Sequence, residues 1–478
     1  MIEIICKDTL YTYNAYHVTK AFFPDEEIFQ QVDEKQDSLV QLKAKGSSCF
    51  SVALSFVGET KEAASVEKQE KKRQITKQLY LALSKKTGKK LAWGMLTGVR
   101  PTKLVMQKLE QGMHAEQITD FLQEEYCVSE KKADLAVQIA KRERELLEQL
   151  RPEGFSLYVG VPFCPSICSY CSFSSSPVSL WKDRMNEYLD ALCKEIRALG
   201  EMKQRECPDT VYVGGGTPTS FSAEQLECLL TTIEDSFSLE RVLEYTVEAG
   251  RPDSITREKL EVIRKHPVTR ISVNPQTMQQ KTLDLVGRKH TASDVQRIFK
   301  MARELGFDNI NMDLIAGLPE ETAADMRDTL EQIEALRPDS LTVHALAIKR
   351  AARLGQESFR TLHEEIGQMV EDSAKFAQKM QLIPYYLYRQ KNIAGNFENV
   401  GYAKVDKAGI YNILIMEEKQ TILAAGAGAG TKLVLPEKRR LQNGKETNLI
   451  RVENVKNIEE YMNRIDEMIE KKRRLLWH

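Results

Sequence analysis

LYVGVPFCPSICSYCSF (Leu157–Phe173) is the stretch that decides the fold. It begins as an apolar, β-branched run typical of a buried strand. It ends in a loop with the spacing C-x3-C-x2-C, formed by Cys164, Cys168 and Cys171. Three thiolates on one loop can hold three irons of a cubane and leave the fourth iron open to a ligand. A structural zinc site needs a fourth Cys or His nearby, and no histidine lies between the loop and His266. The spacing therefore predicts a [4Fe-4S] cluster.

Residues 151–350 alternate between strand-like and helix-like segments around this loop. The predicted strands are Ser156–Val161, Thr210–Val213, Leu243–Glu248, Arg270–Val273, Asn309–Ile315 and Ser340–Ala345. The predicted helices are Asp183–Leu199, Ala223–Ser236, Ile255–Lys265, Ala292–Leu305 and Glu321–Leu336. Strands that alternate with helices indicate a parallel sheet with right-handed crossovers. The order fits either a partial (β/α) barrel or a doubly wound sheet, and in a barrel the cysteine loop lies on the catalytic face.

The regions on either side are mixed in character. Residues 1–150 are predicted to form an N-terminal α+β domain and residues 351–478 a C-terminal α+β domain. Within the latter, Ile410–Met416 and Gln420–Leu423 are expected to pair as a hairpin. The apolar stripe of Asn457–Leu475 predicts a docked amphipathic helix.

Composition narrows the functional class. The chain has 68 basic and 69 acidic residues and a net charge of −1, so no global field indicates nucleic acid or membrane. The start, MIEIICKDTL, lacks the basic region and apolar core of a signal peptide. No run reaches the roughly 18 apolar residues of a membrane span. We expect a cytoplasmic protein, whose nine cysteines are thiols or ligands rather than disulfides.

Glycines and polar side chains follow the ends of later predicted strands. YVGGGTPT (Tyr212–Thr219) follows the second strand, and its glycines allow close backbone approach to a ligand and expose N–H donors. Glu248, Gln276 and Asp313 lie near the ends of the next strands. Because the carboxyl ends of parallel strands meet at one edge, these residues favour a shared pocket. Arg288 offers the planar guanidinium that pairs with carboxylates.

Three other features each admit two interpretations. His290 and His344 either line this pocket or cap their elements. The run AAGAGAG (Ala424–Gly430) predicts a close backbone approach, either to the barrel or to a ligand. LTGVRPTK (Leu96–Lys103) predicts a turn entering a helix, with basic side chains that are solvated or meet a phosphate or carboxylate.

The cysteine loop resembles that of the radical-SAM superfamily. LYVGVPFCPSICSYCSF, YVGGGTPT, VNPQTMQQKTLDLVGRKH and INMDLIAGLPEET, in this order, resemble the oxygen-independent coproporphyrinogen III dehydrogenase family. The whole chain looks like the bacillus-type branch, which has an added N-terminal region. The resemblance implies a partial (β/α)6 barrel, a [4Fe-4S] cluster and two S-adenosylmethionine molecules.

The resemblance also assigns site residues by motif position. The cluster ligands are implied to be Cys164, Cys168 and Cys171. The residues implied for the first S-adenosylmethionine are Tyr158, Gly215 and Glu248. Those implied for the second are Tyr170, Gly216, Thr217, Gln276, Arg288 and Asp313, with Ala347 near a further contact.

The implied reaction converts propionate side chains of coproporphyrinogen III to vinyl groups and gives protoporphyrinogen IX. A porphyrinogen substrate and an unidentified electron donor are the expected partners. Two departures keep alternatives open: Phe173 stands where the dehydrogenases have another cysteine, and NFENVGYAK (Asn396–Lys404) lacks the histidine of the related haem chaperones. The other hypotheses are a haem-transfer protein that retains the cluster, another radical reaction on a related substrate, and a redox-sensing or interaction protein whose cluster never turns over.

Overall fold

The computed structural model describes residues 1–24, 26–44, 50–55, 65–346, 363–389, 397–440 and 446–476. The chain divides into two compact units. One contains Met1–Lys141 and Leu387–Glu398, and the other contains Arg142–Tyr386 and Asn399–His478. The division of the chain into domains at residues 150 and 350 remains a prediction.

The first unit combines a small sheet with helices. Its strands are β1 (Ile2–Cys6), β2 (Ile28–Val32), β3 (Val40–Ala44) and β4 (Phe50–Leu54), in the order β2-β1-β3-β4. The helices of this part of the chain are α1 (Thr9–Phe22), α2 (Ser65–Thr87), α3 (Thr102–Glu110), α4 (Ala115–Tyr126) and α5 (Glu130–Leu147). Asp8 caps α1 by accepting a hydrogen bond from the Leu10 N–H at 2.8 Å. The predicted turn before α3 is present, with Pro101 at its N-cap.

The remaining strands include those of the predicted barrel. They are β5 (Phe155–Val161), β6 (Phe163–Cys164), β7 (Ser176–Pro177), β8 (Thr210–Gly215), β9 (Glu244–Gly250), β10 (Arg270–Val273), β11 (Ile310–Ala316), β12 (Ser340–Ala345), β13 (Ile383–Tyr388), β14 (Asn399–Ala403), β15 (Thr421–Ala425), β16 (Gly430–Arg440) and β17 (Glu446–Glu453). The α-helices that follow α5 are α6 (Met185–Met202), α7 (Ala223–Ser236), α8 (Arg257–Lys265), α9 (Gln280–Leu285), α10 (Ala292–Glu304), α11 (Ala323–Leu336), α12 (His363–Lys379), α13 (Ile410–Glu417), α14 (Ile458–Asn463) and α15 (Ile465–Leu476). No helix in the described part of the chain is long and apolar enough to cross a membrane.

Six parallel strands form the centre of an 11-stranded sheet. They lie in the order β5-β8-β9-β10-β11-β12, which is their order along the chain. A doubly wound sheet reverses its strand order at a switch point, and these strands do not. The partial (β/α)6 barrel is therefore confirmed. At one end the sheet continues through β14 and β13, and at the other through β15, β16 and β17.

Side chains along the barrel strands alternate between an apolar face and a polar face. Val211 and Ile271 represent the apolar face and are fully buried. Thr210 and Arg270 represent the polar face and expose only 0% and 2% of their surface. Polar partners compensate part of this burial: the Thr210 hydroxyl donates to Ser156 Oγ at 2.8 Å, and Arg270 Nη2 donates to Ser340 Oγ at 3.2 Å. A buried polar face gives the barrel an interior lined with hydrogen-bonding groups.

The predicted hairpin of Ile410–Met416 with Gln420–Leu423 is wrong in its first half. Ile410–Glu417 forms helix α13, whereas the second segment is strand β15. The buried residues of α13 are spaced at helical intervals: Ile410, Tyr411, Ile413, Leu414 and Glu417. The apolar, β-branched composition is typical of strands, but burial of one helical side against the barrel overrides it.

The Gly/Ala run after β15 makes a close backbone approach to the barrel. β15 pairs in parallel with β5, and a Cβ on Gly426 would lie 2.4 Å from the Gly160 carbonyl oxygen. Gly426 also has φ of +110°, a conformation that favours glycine. Of the two interpretations of this run, the structure shows approach to the barrel.

Candidate active site

The cysteine loop leaves the carboxyl end of β5 and is held against the segment after α9. The Ser169 N–H donates to the Val286 carbonyl at 3.1 Å, and the Ser166 hydroxyl donates to the Gly287 carbonyl at 3.0 Å. Within the loop, the Cys171 N–H donates to the Cys168 carbonyl at 3.0 Å. These contacts fix the backbone that carries the thiols.

Two side chains from other strand ends contact the thiols directly. The Thr217 hydroxyl lies 3.5 Å from Cys164 Sγ, and Arg251 Nη1 lies 3.6 Å from Cys168 Sγ. Burial raises the pKa of the Cys164 thiol, although the Thr217 hydrogen bond opposes that shift. A buried thiol of this kind loses its proton when a metal binds. The loop therefore presents sulfur ligands in a partly buried, polar setting.

The three cysteine side chains of this loop suit an iron–sulfur cluster. Among the described residues, no three His, Cys, Asp or Glu side chains are grouped as ligands of one metal ion. In a cubane each thiolate binds its own iron, so the three sulfur atoms stand farther apart than ligands of one ion. Cys164, Cys168 and Cys171 can hold such a cluster.

The glycines at the end of β8 pack against β5 and the segment that begins the cysteine loop. A Cβ on Gly216 would lie 2.6 Å from the Phe163 carbonyl oxygen, and one on Gly215 would lie 2.7 Å from the Tyr158 hydroxyl. The Gly216 and Thr217 N–H groups donate to carbonyls of β5 and β6. The sequence predicted exposed N–H donors here. That prediction is wrong because the Val161 and Phe163 carbonyls accept the hydrogen bonds of Gly216 and Thr217. Carbonyl and side-chain groups of this run remain for hydrogen bonds to a ligand.

Glu248 lies beside this run at the end of β9. The Tyr212 hydroxyl donates to its Oε1, and the Gly215 N–H donates to its Oε2 at 3.3 Å. Burial raises the pKa of Glu248 to about 7, with Asp313 adding to the shift and Tyr212 opposing it. Near neutral pH the carboxyl group is therefore divided between its acid and its carboxylate forms.

Three tyrosines stack beside Glu248. The Tyr212 and Tyr411 ring centroids are 4.4 Å apart, and Tyr158 stacks on Tyr411 at 6.1 Å. The N–H of Tyr411, on α13, donates to Glu244 Oε2 at 3.0 Å. Sequence reasoning missed Tyr411 because it assigned that segment to a strand.

Gln276, three residues after β10, meets Asp313 in the middle of β11. The Gln276 N–H donates to the Asp313 carbonyl at 2.9 Å, and the Ile315 N–H donates to the Gln276 carbonyl at 2.9 Å. Gln276 has φ of +69°, unusual for a residue with a side chain. Its buried Oε1 has no hydrogen-bond partner in the described structure. An orphaned buried acceptor at a strand end suits a polar ligand.

Arg288 lies near this pair and is 4% exposed. Its Nη1 donates to the carbonyls of Asn274 and Pro275, both at 3.0 Å. Its Nε is buried and, within the described residues, has no hydrogen-bond partner. The guanidinium is therefore fixed in orientation and retains the Nε–H group as a buried donor for a ligand.

The other predicted residues differ in placement. Tyr170, on the cysteine loop, packs against the buried apolar side chains of Val286, Ile315 and Leu318.

His290 is buried beside Asp253, and burial lowers its pKa to about 4, so the ring is neutral. Its two ring nitrogens have no hydrogen-bond partner among the described residues. Burial also lowers the pKa of His344 on β12. Ala347 lies outside the described residues.

Sequence reasoning also missed Arg251. It follows β9 by one residue, forms a two-point contact with Asp253 and reaches the cysteine loop. Its position three residues after Glu248, at a strand's carboxyl end, was the available signal. Its partner on the loop is 83 residues away in sequence, which no local pattern indicates.

Comparison with known proteins shows the class of protein to which the chain belongs. The model of the radical SAM superfamily matches residues 158–333, which include the cysteine loop and the strand ends described above. The chain is thus a radical SAM protein, a class whose cofactors are a [4Fe-4S] cluster and S-adenosylmethionine. The "oxygen-independent coproporphyrinogen-III oxidase-like protein HemZ" of Bacillus subtilis is 42% identical over 356 residues, 73% of this chain and 71% of that protein. The chain belongs to the oxygen-independent coproporphyrinogen-III oxidase-like family.

Two further relatives carry different functional names. The "heme chaperone HemW" of Bacillus subtilis is 36% identical over 197 residues, 41% of this chain and 51% of that protein. The solved coproporphyrinogen III oxidase HemN of Escherichia coli, described as a radical SAM enzyme, matches with a TM-score of 0.53 at 21% identity. That match covers 68% of this chain and 73% of the solved chain. The structural match supports the fold.

Proposed function

We propose that the protein is a radical-SAM oxidoreductase that decarboxylates propionate side chains of coproporphyrinogen III to vinyl groups, giving protoporphyrinogen IX. When bound, the cluster and S-adenosylmethionine supply a 5′-deoxyadenosyl radical, which takes a hydrogen atom from the propionate β-carbon. Loss of carbon dioxide and of one electron then leaves the vinyl group. The chain's own residues bind, orient and shield these reactants.

Cys164, Cys168 and Cys171 are proposed to hold three of the irons. Tyr158, Gly215 and Glu248 are proposed to bind the first S-adenosylmethionine. The carboxylate of Glu248 suits hydroxyl or amino donors of that molecule. Exclusion of water by the stacked tyrosines protects a reactive radical from side reactions.

The second proposed S-adenosylmethionine site comprises Tyr170, Gly216, Thr217, Gln276, Arg288 and Asp313, and the family resemblance adds Ala347. The observation that supports it is the pair of orphaned groups, Gln276 Oε1 and Arg288 Nε. Arginine pairs well with a carboxylate, and S-adenosylmethionine carries one on its methionine moiety. An acceptor and a donor left free near one strand end match the amino and carboxylate groups of that ligand.

The test is an anaerobic assay of reconstituted protein with dithionite, S-adenosylmethionine and coproporphyrinogen III. Protoporphyrinogen IX and 5′-deoxyadenosine are followed together, with Cys168→Ala as the control. The proposal is supported if the parent protein forms both products and the Cys168→Ala variant forms neither. 5′-Deoxyadenosine without the porphyrin product points to radical chemistry on another substrate.

Haem transfer is a second candidate, favoured by Phe173. This aromatic side chain is 75% exposed and stands two residues after Cys171. An exposed aromatic ring beside the loop can stack on a flat macrocycle. Stoichiometric haem binding that weakens in Phe173→Ser, without porphyrin product in the assay above, would favour the transfer function.

The reaction also requires an electron donor for the cluster and a one-electron acceptor for the substrate. Their identities and a cytoplasmic location belong to the proposal. We also propose that residues 1–150, 151–350 and 351–478 form three separate domains.

A further inference from the structure

Arg251 is a buried cation that connects a strand end to the cysteine loop. It is 4% exposed. Its Nε and Nη2 donate to Asp253 Oδ1 and Oδ2 at 3.0 Å and 2.7 Å. Its Nη1 donates to the Ser166 carbonyl at 2.7 Å and lies 3.6 Å from Cys168 Sγ. Every nitrogen of the guanidinium therefore has a described partner.

Asp253 sets the orientation of this guanidinium. Two parallel hydrogen bonds between a guanidinium and a carboxylate define a common plane, and this plane directs Nη1 toward the loop. The Asp253 side chain is only 14% exposed. Its burial opposes ionisation, but the hydrogen bonds and charge of Arg251 lower its pKa. The arrangement fixes one N–H group on the Cys168 sulfur rather than leaving a mobile cation nearby.

We propose that Arg251 is a positioning residue that holds the cysteine loop and raises the reduction potential of the cluster through its contact with Cys168 Sγ. This inference rests on the cluster site of the proposed function. It does not depend on which substrate the radical oxidises.

Electrostatics determines the direction in which Arg251 shifts the reduction potential of the cluster. Reduction adds one negative charge to a cluster and its thiolates, and a fixed cation stabilises the reduced form more than the oxidised form. Hydrogen bonds to the sulfur atoms and exclusion of solvent are established determinants of cluster potential. Loss of the Arg251 cation therefore shifts the potential to more negative values and makes the cluster harder to reduce.

The experiment is a potentiometric titration of the full-length, reconstituted protein, followed by electron paramagnetic resonance. It compares Arg251→Gln and Arg251→Lys with the parent protein, after iron and sulfide contents have been matched. At a fixed solution potential, Arg251→Gln is expected to lower the ratio of reduced to oxidised cluster about tenfold, or ~59 mV for a one-electron couple. Arg251→Lys keeps the charge but has no planar fork, so its shift is smaller and in the same direction.

Arg257→Gln is the matched control, because Arg257 is exposed and pairs with Glu304 at 3.0 Å. Its potential is expected to equal the parent's. An unchanged potential in loaded Arg251→Gln overturns the proposal and leaves Arg251 a purely structural role. If Arg251→Gln does not retain a cluster, Arg251→Lys decides, and a parental potential there overturns the proposal. The titration contains no porphyrin, so its outcome is independent of the proposed reaction.

Discussion

The Tyr212 hydroxyl on β8 donates a hydrogen bond to Glu248 Oε1 on the neighbouring barrel strand β9. This bond favours the carboxylate, whereas burial and the nearby Asp313 favour the neutral acid. Arg270 also stabilises the carboxylate, and the result is a Glu248 pKa of about 7. The ionisation of Glu248, a residue proposed to bind S-adenosylmethionine, therefore depends in part on the Tyr212 hydroxyl.

Removing that hydroxyl is expected to weaken S-adenosylmethionine binding at neutral pH. In Tyr212→Phe the carboxylate loses a donor, so the pKa of Glu248 rises and less carboxylate is present. A hydrogen bond to a charged group contributes about 1.5 kcal/mol, or roughly tenfold in affinity. Calorimetric titration of reconstituted protein from about pH 6 to about pH 9 is expected to show the midpoint of binding moving to higher pH.

Tyr245→Phe is the control for this prediction. Tyr245 lies on β9 with Glu248, is fully buried, and has a hydroxyl without a partner among the described residues. We expect S-adenosylmethionine affinity to stay at the parental value. Equal affinities for Tyr212→Phe and Tyr245→Phe at every pH would show that the Tyr212 bond does not control binding.

The buried carboxyl group of Glu321 is expected to make the free energy of unfolding depend on pH. It is 4% exposed, and burial raises its pKa to about 7 despite a hydrogen bond from Thr277 Oγ1 at 2.5 Å. In the unfolded chain the carboxyl ionises near the ordinary glutamate value of 4.5, so stability is lost as pH rises from there to the folded pKa. A shift of this size corresponds to about 3 kcal/mol above neutral pH.

Glu321→Gln is therefore expected to flatten this part of the pH profile of the free energy of unfolding, measured by urea denaturation. The exposed neighbour Glu320, which pairs with Lys281 at 2.5 Å, is the control. Glu320→Gln is expected to retain the parental slope. A Glu321→Gln profile parallel to that of the parent would contradict the assignment of the raised pKa.

Gly426→Ala tests the close approach of β15 and β5. The new Cβ would lie 2.4 Å from the Gly160 carbonyl, and φ of +110° adds strain. We expect a loss of about 3 kcal/mol or more in the free energy of unfolding. Gly98→Ala, where a Cβ meets no atom within 4 Å, is expected to be nearly neutral. Comparable losses in the two variants would argue against a steric cause.

The buried Lys472–Glu195 pair tests how the C-terminal helix is anchored. Both side chains are fully buried. Asn454 and Tyr461 also donate to Glu195, at 2.9 Å and 2.6 Å. Lys472→Met leaves a buried carboxylate without its cation and is expected to cost about 3–5 kcal/mol.

Glu195→Gln combined with Lys472→Met removes both charges and is expected to recover much of that loss. Thermal and urea denaturation of the two variants provide the comparison. A double variant less stable than Lys472→Met would contradict the explanation by an unpaired charge.

The sequence predicted the barrel because its signals are local. β10 and β12 have the predicted bounds, Arg270–Val273 and Ser340–Ala345, since short β-branched runs there lie between clear helices. The polar interior also appears in the sequence, as alternation along each strand.

The parts that were missed depend on contacts between distant segments. The helix that carries Tyr411 has strand-like composition, and its helical form depends on burial against the barrel. The Arg251–Cys168 contact joins two loops that only the folded sheet brings together. The glycines of residues 214–216 suggested ligand contact, but Gly215 makes room for the Tyr158 hydroxyl and Gly216 for the segment that begins the cysteine loop.

The most direct test of the central claim is isotope transfer from substrate to cofactor. Reduced, reconstituted protein is incubated anaerobically with S-adenosylmethionine and coproporphyrinogen III deuterated at the propionate β-carbons, and 5′-deoxyadenosine is analysed by mass spectrometry. The proposed reaction predicts one deuterium in each 5′-deoxyadenosine formed, together with vinyl product. Unlabelled 5′-deoxyadenosine without vinyl product, from protein with an intact cluster, would contradict it.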